Sequence, residues 1–107
     1  MKINFKKNFV DSFGCTITEV KNGISIPQEI WRFLAATLFS IKSLGKEPLS
    51  KDKMYMAYCL SKRIADNPEA VECTTEEASF IKDVCSEMLN AGGYGQVVDL
   101  IENNVKP

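Results

Sequence analysis

The hydrophobic pattern changes period once along this chain, near residue 27. Before that point it alternates. Ile3 and Phe5, then Phe9, are separated by Lys and Asn, and Thr16-Ile17-Thr18-Glu19-Val20 alternates again with β-branched residues. A period of two, rich in Val, Ile, Thr and Phe, is the pattern of a half-buried strand. Ser12-Phe13-Gly14 offers a turn. Asn22-Gly23, between Val20 and Ile24, offers a tight hairpin turn, because both residues tolerate positive φ. The expected product is a small antiparallel hairpin or three-stranded meander. Its apolar face, Ile17, Val20, Ile24 and Ile26, needs helices to cover it, since a lone hairpin is marginal in water.

After that point the period is three to four. Pro27 suits the first position of a helix running to about Lys42. Ile30, Phe33, Leu34, Leu38 and Ile41 form its stripe, and Trp31 and Phe39 widen it. Gly45 is the expected stop, with Pro48 beyond. Ser50 caps a second helix, with Lys51-Asp52-Lys53 as its exposed first turn. Met56, Cys59, Leu60 and Ile64 carry its inner stripe, Tyr55 and Tyr58 flank that stripe, and Asn67-Pro68 ends the helix. A strand-like bridge is expected around Val71 to Cys73. Thr74 and Glu77 then form a capping-box pattern at the start of a third helix. Ala78, Ile81, Val84, Cys85 and Met88 mark its inner face. Asn90-Ala91-Gly92-Gly93 should break it, leaving a short last helix from about Gly95 to Asn103. The fold class is therefore α+β, a small N-terminal β-hairpin or meander packed on a three- to four-helix domain.

Composition adds bounds to this picture. A chain of 107 residues with 45% apolar and 25% charged residues reads as one globular domain over 1–107, its β region at 1–26 and its helical region at 27–103. The formal charge of −1 conceals a split. Residues 1–63 hold eleven Lys/Arg against five Asp/Glu, and residues 64–107 hold two Lys against nine Asp/Glu. A molecule with one basic and one acidic side steers partners of opposite charge. No apolar run is long enough to span a membrane. The basic N-terminus MKINFKKNF is not followed by a signal-like apolar stretch, so the expected location is the cytoplasm.

Candidate chemistry is sparse. Asp66 to Glu77 has the length and the acidic ends of a calcium loop. Pro68 and Ala70 stand where side-chain oxygens are needed, and Val71 where glycine allows the sharp turn. Gly92-Gly93-Tyr94-Gly95 before a helix could cradle phosphate, but no P-loop Lys or Ser/Thr follows, so a flexible link is expected there. Most of the carboxylates Glu69, Glu72, Glu76, Glu77 and Asp83 lie in a loop or a first helical turn, where solvation and the helix dipole account for them. The chain has no histidine, the usual activating base for a serine or cysteine nucleophile. Cys15, Cys59, Cys73 and Cys85 form no C-x-x-C pair, and they read as reduced, structural thiols rather than a zinc site. No cofactor, no metal and no enzymatic activity are expected.

What remains is surface. Lys6 and Lys7 lie close to Phe5 and Phe9, and Lys51, Lys53, Lys62 and Arg63 extend the positive field. Lysines interleaved with aromatics can hold single-stranded nucleic acid by phosphate contact and stacking. Against that stand an isoelectric point of about 5.4 and an alternative in which Phe5 and Phe9 are core. Trp31, Phe39, Tyr55, Tyr58 and Tyr94 fit least readily into one core stripe; half-exposed aromatics commonly anchor protein interfaces, and a wide helix face in a small core accounts for them at least as well. The candidate partner-binding residues are Lys6, Lys7, Trp31, Lys51, Lys53, Tyr55, Tyr58, Lys62 and Arg63.

Four segments carry a family resemblance: KINFKKNFVDSFG, KDKMYMAYCLSKRIADN, TTEEASFIKDVC and GQVVDLIEN. In this order they resemble small accessory proteins encoded by tailed phages and prophages. The resemblance implies a viral origin, a place in the host cytoplasm, and binding rather than catalysis, with a host, defence or virion protein as partner. The expected function is a non-enzymatic protein-interaction module; the alternative is a small nucleic-acid-binding protein that uses the basic N-terminal half.

Overall fold

The N-terminal alternation does form strands, but it shares them among several partners. The computed structural model describes residues 1–103. Lys106, counted in the charge of the C-terminal half, and the end of the expected 1–107 domain lie outside the described residues. In chain order the elements are β1 (Lys2–Ile3), β2 (Thr18–Lys21), β3 (Ile24–Pro27), α1 (Ile30–Ser40), β4 (Ser43–Leu44), β5 (Glu47–Pro48), α2 (Lys51–Asp66), β6 (Val71–Glu72), α3 (Thr75–Met88) and α4 (Ala91–Asn103). This is an α+β domain.

β1 pairs antiparallel with β6, the expected bridge between α2 and α3, with Ile3 opposite Val71. The main chain extends that pairing through Phe5 N–H to the Pro68 carbonyl at 2.8 Å and Cys73 N–H to the Met1 carbonyl at 2.9 Å. Residues 7–10 then run beside 28–30 and 16–17: Ile30 N–H donates to the Lys7 carbonyl, and Phe9 N–H donates to that of Gln28. α4 is tied to the same segment by Gln96, whose side chain accepts from Val10 N–H at 2.8 Å and donates to the Val10 carbonyl at 2.9 Å. Asp11 closes the expected turn, its carboxylate accepting from the N–H groups of Phe13 and Cys15. Ile3 and Phe5 thereby enter a core completed by Ile30, Leu34 and Leu38 of α1, Leu60 and Ile64 of α2, Phe80, Ile81, Val84 and Cys85 of α3, and Val97 and Ile101 of α4.

Several expectations are corrected. The β2–β3 hairpin forms around Asn22-Gly23, both at positive φ, but its apolar residues do not share a face. A two-residue turn sets Val20 opposite Ser25 and Lys21 opposite Ile24, so Val20 lies on the face away from Ile17, Ile24 and Ile26. Val20 and Ile24 are both exposed. Pro27 closes the β3 ladder opposite Thr18, where the missing N–H costs no sheet bond, and α1 starts three residues later. Gly45 does not cap α1; at φ +64° it turns the β4–β5 hairpin. Met88, expected inside, ends α3 in the open. The glycines expected to form a flexible link are helical: Asn90 caps α4 by accepting from Gly93 N–H at 2.9 Å. Ser50 and the Thr74–Glu77 capping box act as expected.

Candidate functional site

The nine candidate residues divide by the direction in which α2 turns them. α2 buries Ala57, Leu60, Ser61 and Ile64. Lys51, Tyr55, Tyr58 and Lys62 follow one another at steps of four, three and four on the opposite side, and all four are exposed. The Tyr55 and Tyr58 rings sit 6.1 Å apart at 33°, and Phe39 of α1 reaches the Tyr58 ring at 6.1 Å. Met54 joins them at the surface. Hydrogen bonding with the Cys59 side chain, one turn along, raises the Tyr55 phenol from its ordinary value, so the hydroxyl stays neutral. The result is an exposed aromatic floor along α2, joined by Phe39 from the last turn of α1, with a lysine at each end of it.

Lys53 and Arg63 are on α2 too, but they face α3. Lys53 Nζ lies 3.7 Å from Glu76 Oε1 and 5.5 Å from the centre of the Phe80 ring. Arg63 donates to Glu77 Oε1 at 2.9 Å and to the Glu72 carbonyl at 3.0 Å. Glu77 is the capping-box carboxylate, and its Oε1 also accepts from Thr74 N–H at 2.9 Å. Arg63 above all, with the Thr74 donors behind it, holds the Glu77 carboxyl below the usual carboxylate range; Glu77 in turn raises the guanidinium. These two cations bind the fold together.

The remaining candidates lie elsewhere. Lys6 pairs with Glu69 at 3.6 Å, and Lys7 is exposed on the N-terminal segment. Phe5 and Phe9, which would have to stack on bases, are in the core. Trp31 is half-buried at the edge of an open groove of about 900 Å³ between the β2–β3 hairpin and α1. Arg32 lies over its ring at 4.8 Å and donates to Glu29. The indole N–H is closed off from solvent without an acceptor, so Trp31 offers a partner part of a ring and no donor.

Charge neutralisation is selective. Of the basic residues of 1–63, Lys6, Lys53 and Arg63 reach carboxylates of the acidic half, and Lys21 and Arg32 pair with Glu19 and Glu29. Lys2, Lys7, Lys42, Lys46, Lys51 and Lys62 make no ion pair among the described residues. The two lysines of the tyrosine face belong to this open set. Phe39 and Met54 complete that face and were not among the candidates; the i, i+4, i+7, i+11 spacing of Lys51, Tyr55, Tyr58 and Lys62 is the sequence signal that would have isolated it.

Burial pushes the Cys73 thiol up to about 11 and the Cys85 thiol up to about 12, which leaves both protonated and unreactive at neutral pH. Among the described residues no group of three or more Cys, Asp or Glu is placed to hold a metal ion, and no helix is long and apolar enough to cross a membrane. No protein-family model, curated protein or solved structure matches the chain.

Proposed function

We propose that this protein is a non-enzymatic interaction module that docks on an acidic surface of a partner protein through the outer face of α2. One observation carries the reading. Lys51, Tyr55, Tyr58 and Lys62 form a single exposed stripe, Phe39 extends it, and neither lysine is neutralised by its own fold among the described residues. Two tyrosines supply contact area at small entropic cost, while the open charges select the partner's sign and speed the encounter. A patch of about 800 Å² per partner is the size that specific docking needs. The four segments similar to phage and prophage accessory proteins support placing this protein in a host cytoplasm, with a host or virion protein as its partner. The missing histidine and the protonated buried thiols support binding over catalysis.

The test is affinity capture from a host lysate, with and without nuclease, using the wild type and a Tyr55→Ala/Tyr58→Ala variant. Recovery of one protein in both conditions, lost in the variant, is the expected outcome. Nuclease-sensitive recovery, or recovery that the variant leaves intact, overturns the reading.

A further inference from the structure

The open stripe on α2 has a length and a direction, and these bear on what shape of partner it receives. Lys51, Tyr55, Tyr58 and Lys62 fall within an arc of about 60° on the helix, and the two lysine positions are about 16 Å apart along its axis. Between them lie only rings, with Met54 and Phe39 widening the floor toward α1. We infer that the occupant is an acidic amphipathic helix of the partner protein, laid along α2, with two carboxylates about three turns apart and small or apolar residues between them. This rests on the docking reading proposed above.

Three features of the face carry the inference. The first is the absence of main-chain partners. α2 is an unbroken helix from Lys51 to Asp66, so its backbone groups are consumed internally. An extended peptide would bring its own N–H and C=O groups against tyrosine, phenylalanine and methionine with nothing to bond them. A helix arrives with its backbone already satisfied and presents only side chains, at the same rise per residue as the stripe itself. A carboxylate pair eleven residues apart on the partner therefore reaches both Lys51 and Lys62, in either chain direction.

The second feature is where charge is left over. Lys53 and Arg63, on the same helix, are spent on Glu76 and Glu77 of α3. Lys51 and Lys62 keep their charge at the two ends of an apolar strip, and their methylene stems can lie along a partner helix while the ammonium groups reach its carboxylates. The third feature concerns nucleic acid. Asp66 lies one turn beyond Lys62 and Asp52 adjoins Lys51, so a phosphate chain running past either end meets a carboxylate.

Fluorescence anisotropy with labelled, helix-stabilised peptides tests this at low salt. The first peptide carries two Glu eleven residues apart with Leu and Ala between. The second has the same composition with the Glu eight apart, and the third is the first interrupted by a central Pro. An oligothymidylate serves as the nucleic-acid probe. The first peptide should bind about fivefold tighter than the second or third, since each carboxylate–lysine contact is a rim pair of modest strength. Lys51→Glu/Lys62→Glu should weaken it about tenfold, and Tyr55→Ala/Tyr58→Ala about tenfold or more, mainly through faster dissociation. All four side chains are exposed, and circular dichroism verifies that the variants stay folded. If the Pro-interrupted peptide binds as tightly as the first and responds to the same substitutions, the helix inference falls while docking on an acidic protein stands. If no acidic peptide binds in a way these substitutions disturb, both fall. Tighter binding of oligothymidylate than of the first peptide at equal salt overturns the protein partner altogether.

Discussion

Truncating Lys62 and Arg63 separately should give two very different proteins, although they are neighbours in sequence with the same formal charge. Arg63→Ala removes a charge-assisted hydrogen bond to Glu77 at 2.9 Å and a second bond to the Glu72 carbonyl at 3.0 Å. A hydrogen bond to a charged group contributes about 1.5–3 kcal/mol when well buried. Here the Glu77 side chain is 13% exposed but that of Arg63 is 41% exposed, so solvent screens the ion-pair part. A net loss of about 1–2 kcal/mol is expected, and it should lower the melting temperature by roughly 5–12 °C in a domain of this size. Lys62→Ala removes an exposed side chain with no ion pair among the described residues, and its effect should stay within about 0.5 kcal/mol. The difference must also depend on pH. Glu77 is held below the usual carboxylate range, chiefly by Arg63. A carboxyl depressed on folding adds stability that is present above its unfolded value of about 4.3 and is lost as pH falls through the folded value. The penalty of Arg63→Ala should therefore be full near neutrality and shrink on acidification below about pH 4. Thermal melts followed by circular dichroism at neutral and acid pH measure both effects. Equal melting temperatures for the two variants at neutral pH, or a penalty that grows in acid, would refute the assignment of Arg63 to the fold and return it to the surface.

Phe5→Ala should cost about 3–5 kcal/mol in urea denaturation, because the ring is fully enclosed in the core; a change under about 1 kcal/mol would mean that the ring is free to bind something else. Gly95→Ala should raise stability by about 0.5–1 kcal/mol, since Gly95 lies within α4 and an added Cβ meets no atom within 4 Å; a loss of stability would show that this segment is not helical. At mildly alkaline pH iodoacetamide should label exposed Cys15 quickly in the native protein, whereas buried Cys73 and Cys85 should label only as the protein unfolds, with mass spectrometry reading the order. Because burial pushes those two thiols up to about 11 and about 12, their contribution to stability should be complete below the unfolded cysteine value of about 8.5 and decline as pH rises above it.

The helices were the most legible part of this chain because their signals are local. Ser50 before Lys51, and Thr74 three residues before Glu77, are caps that one turn of chain can specify, and both helices begin there. The strands were less legible, because pairing is decided by distant residues. Nothing near Ile3 says that its ladder partner is Val71, and the two-residue turn, by pairing Lys21 with Ile24, set Val20 opposite Ser25 rather than opposite Ile24. Glycine and proline misled for a related reason. Pro27 suits either the start of a helix or the edge of a ladder, Gly45 suits a cap or a turn, and main-chain bonds formed elsewhere settled the choice. At the candidate site, the exposure of Tyr55 and Tyr58 followed from helical spacing. The separation of Lys51 and Lys62 from Lys53 and Arg63 required knowing where α3 passes, which no spacing within α2 contains.

That separation changes what the charge imbalance between the two halves means. Read as a sum over residues 1–63, the positive charge suggests a broad basic side. In the fold, Lys6, Lys53 and Arg63 are drawn to Glu69, Glu76 and Glu77, and Lys21 and Arg32 are paired locally. A field built from what is left is narrower than the sum, and on α2 it is confined to the two ends of one aromatic strip. Short-range placement then matters more than net charge. At an ionic strength of about 0.15 M, screening acts over about 8 Å, roughly half the distance between the Lys51 and Lys62 positions on α2. In the proposed docking, each lysine would therefore need its own carboxylate. Steering by the whole basic half would be erased by modest salt, whereas recognition by two spaced charges over tyrosine rings would lose association rate but keep its demand for spacing. On α2 the charge split thus comes down to a pair of open positions, Lys51 and Lys62, while Lys53 and Arg63 tie the same helix to Glu76 and Glu77 at the start of α3.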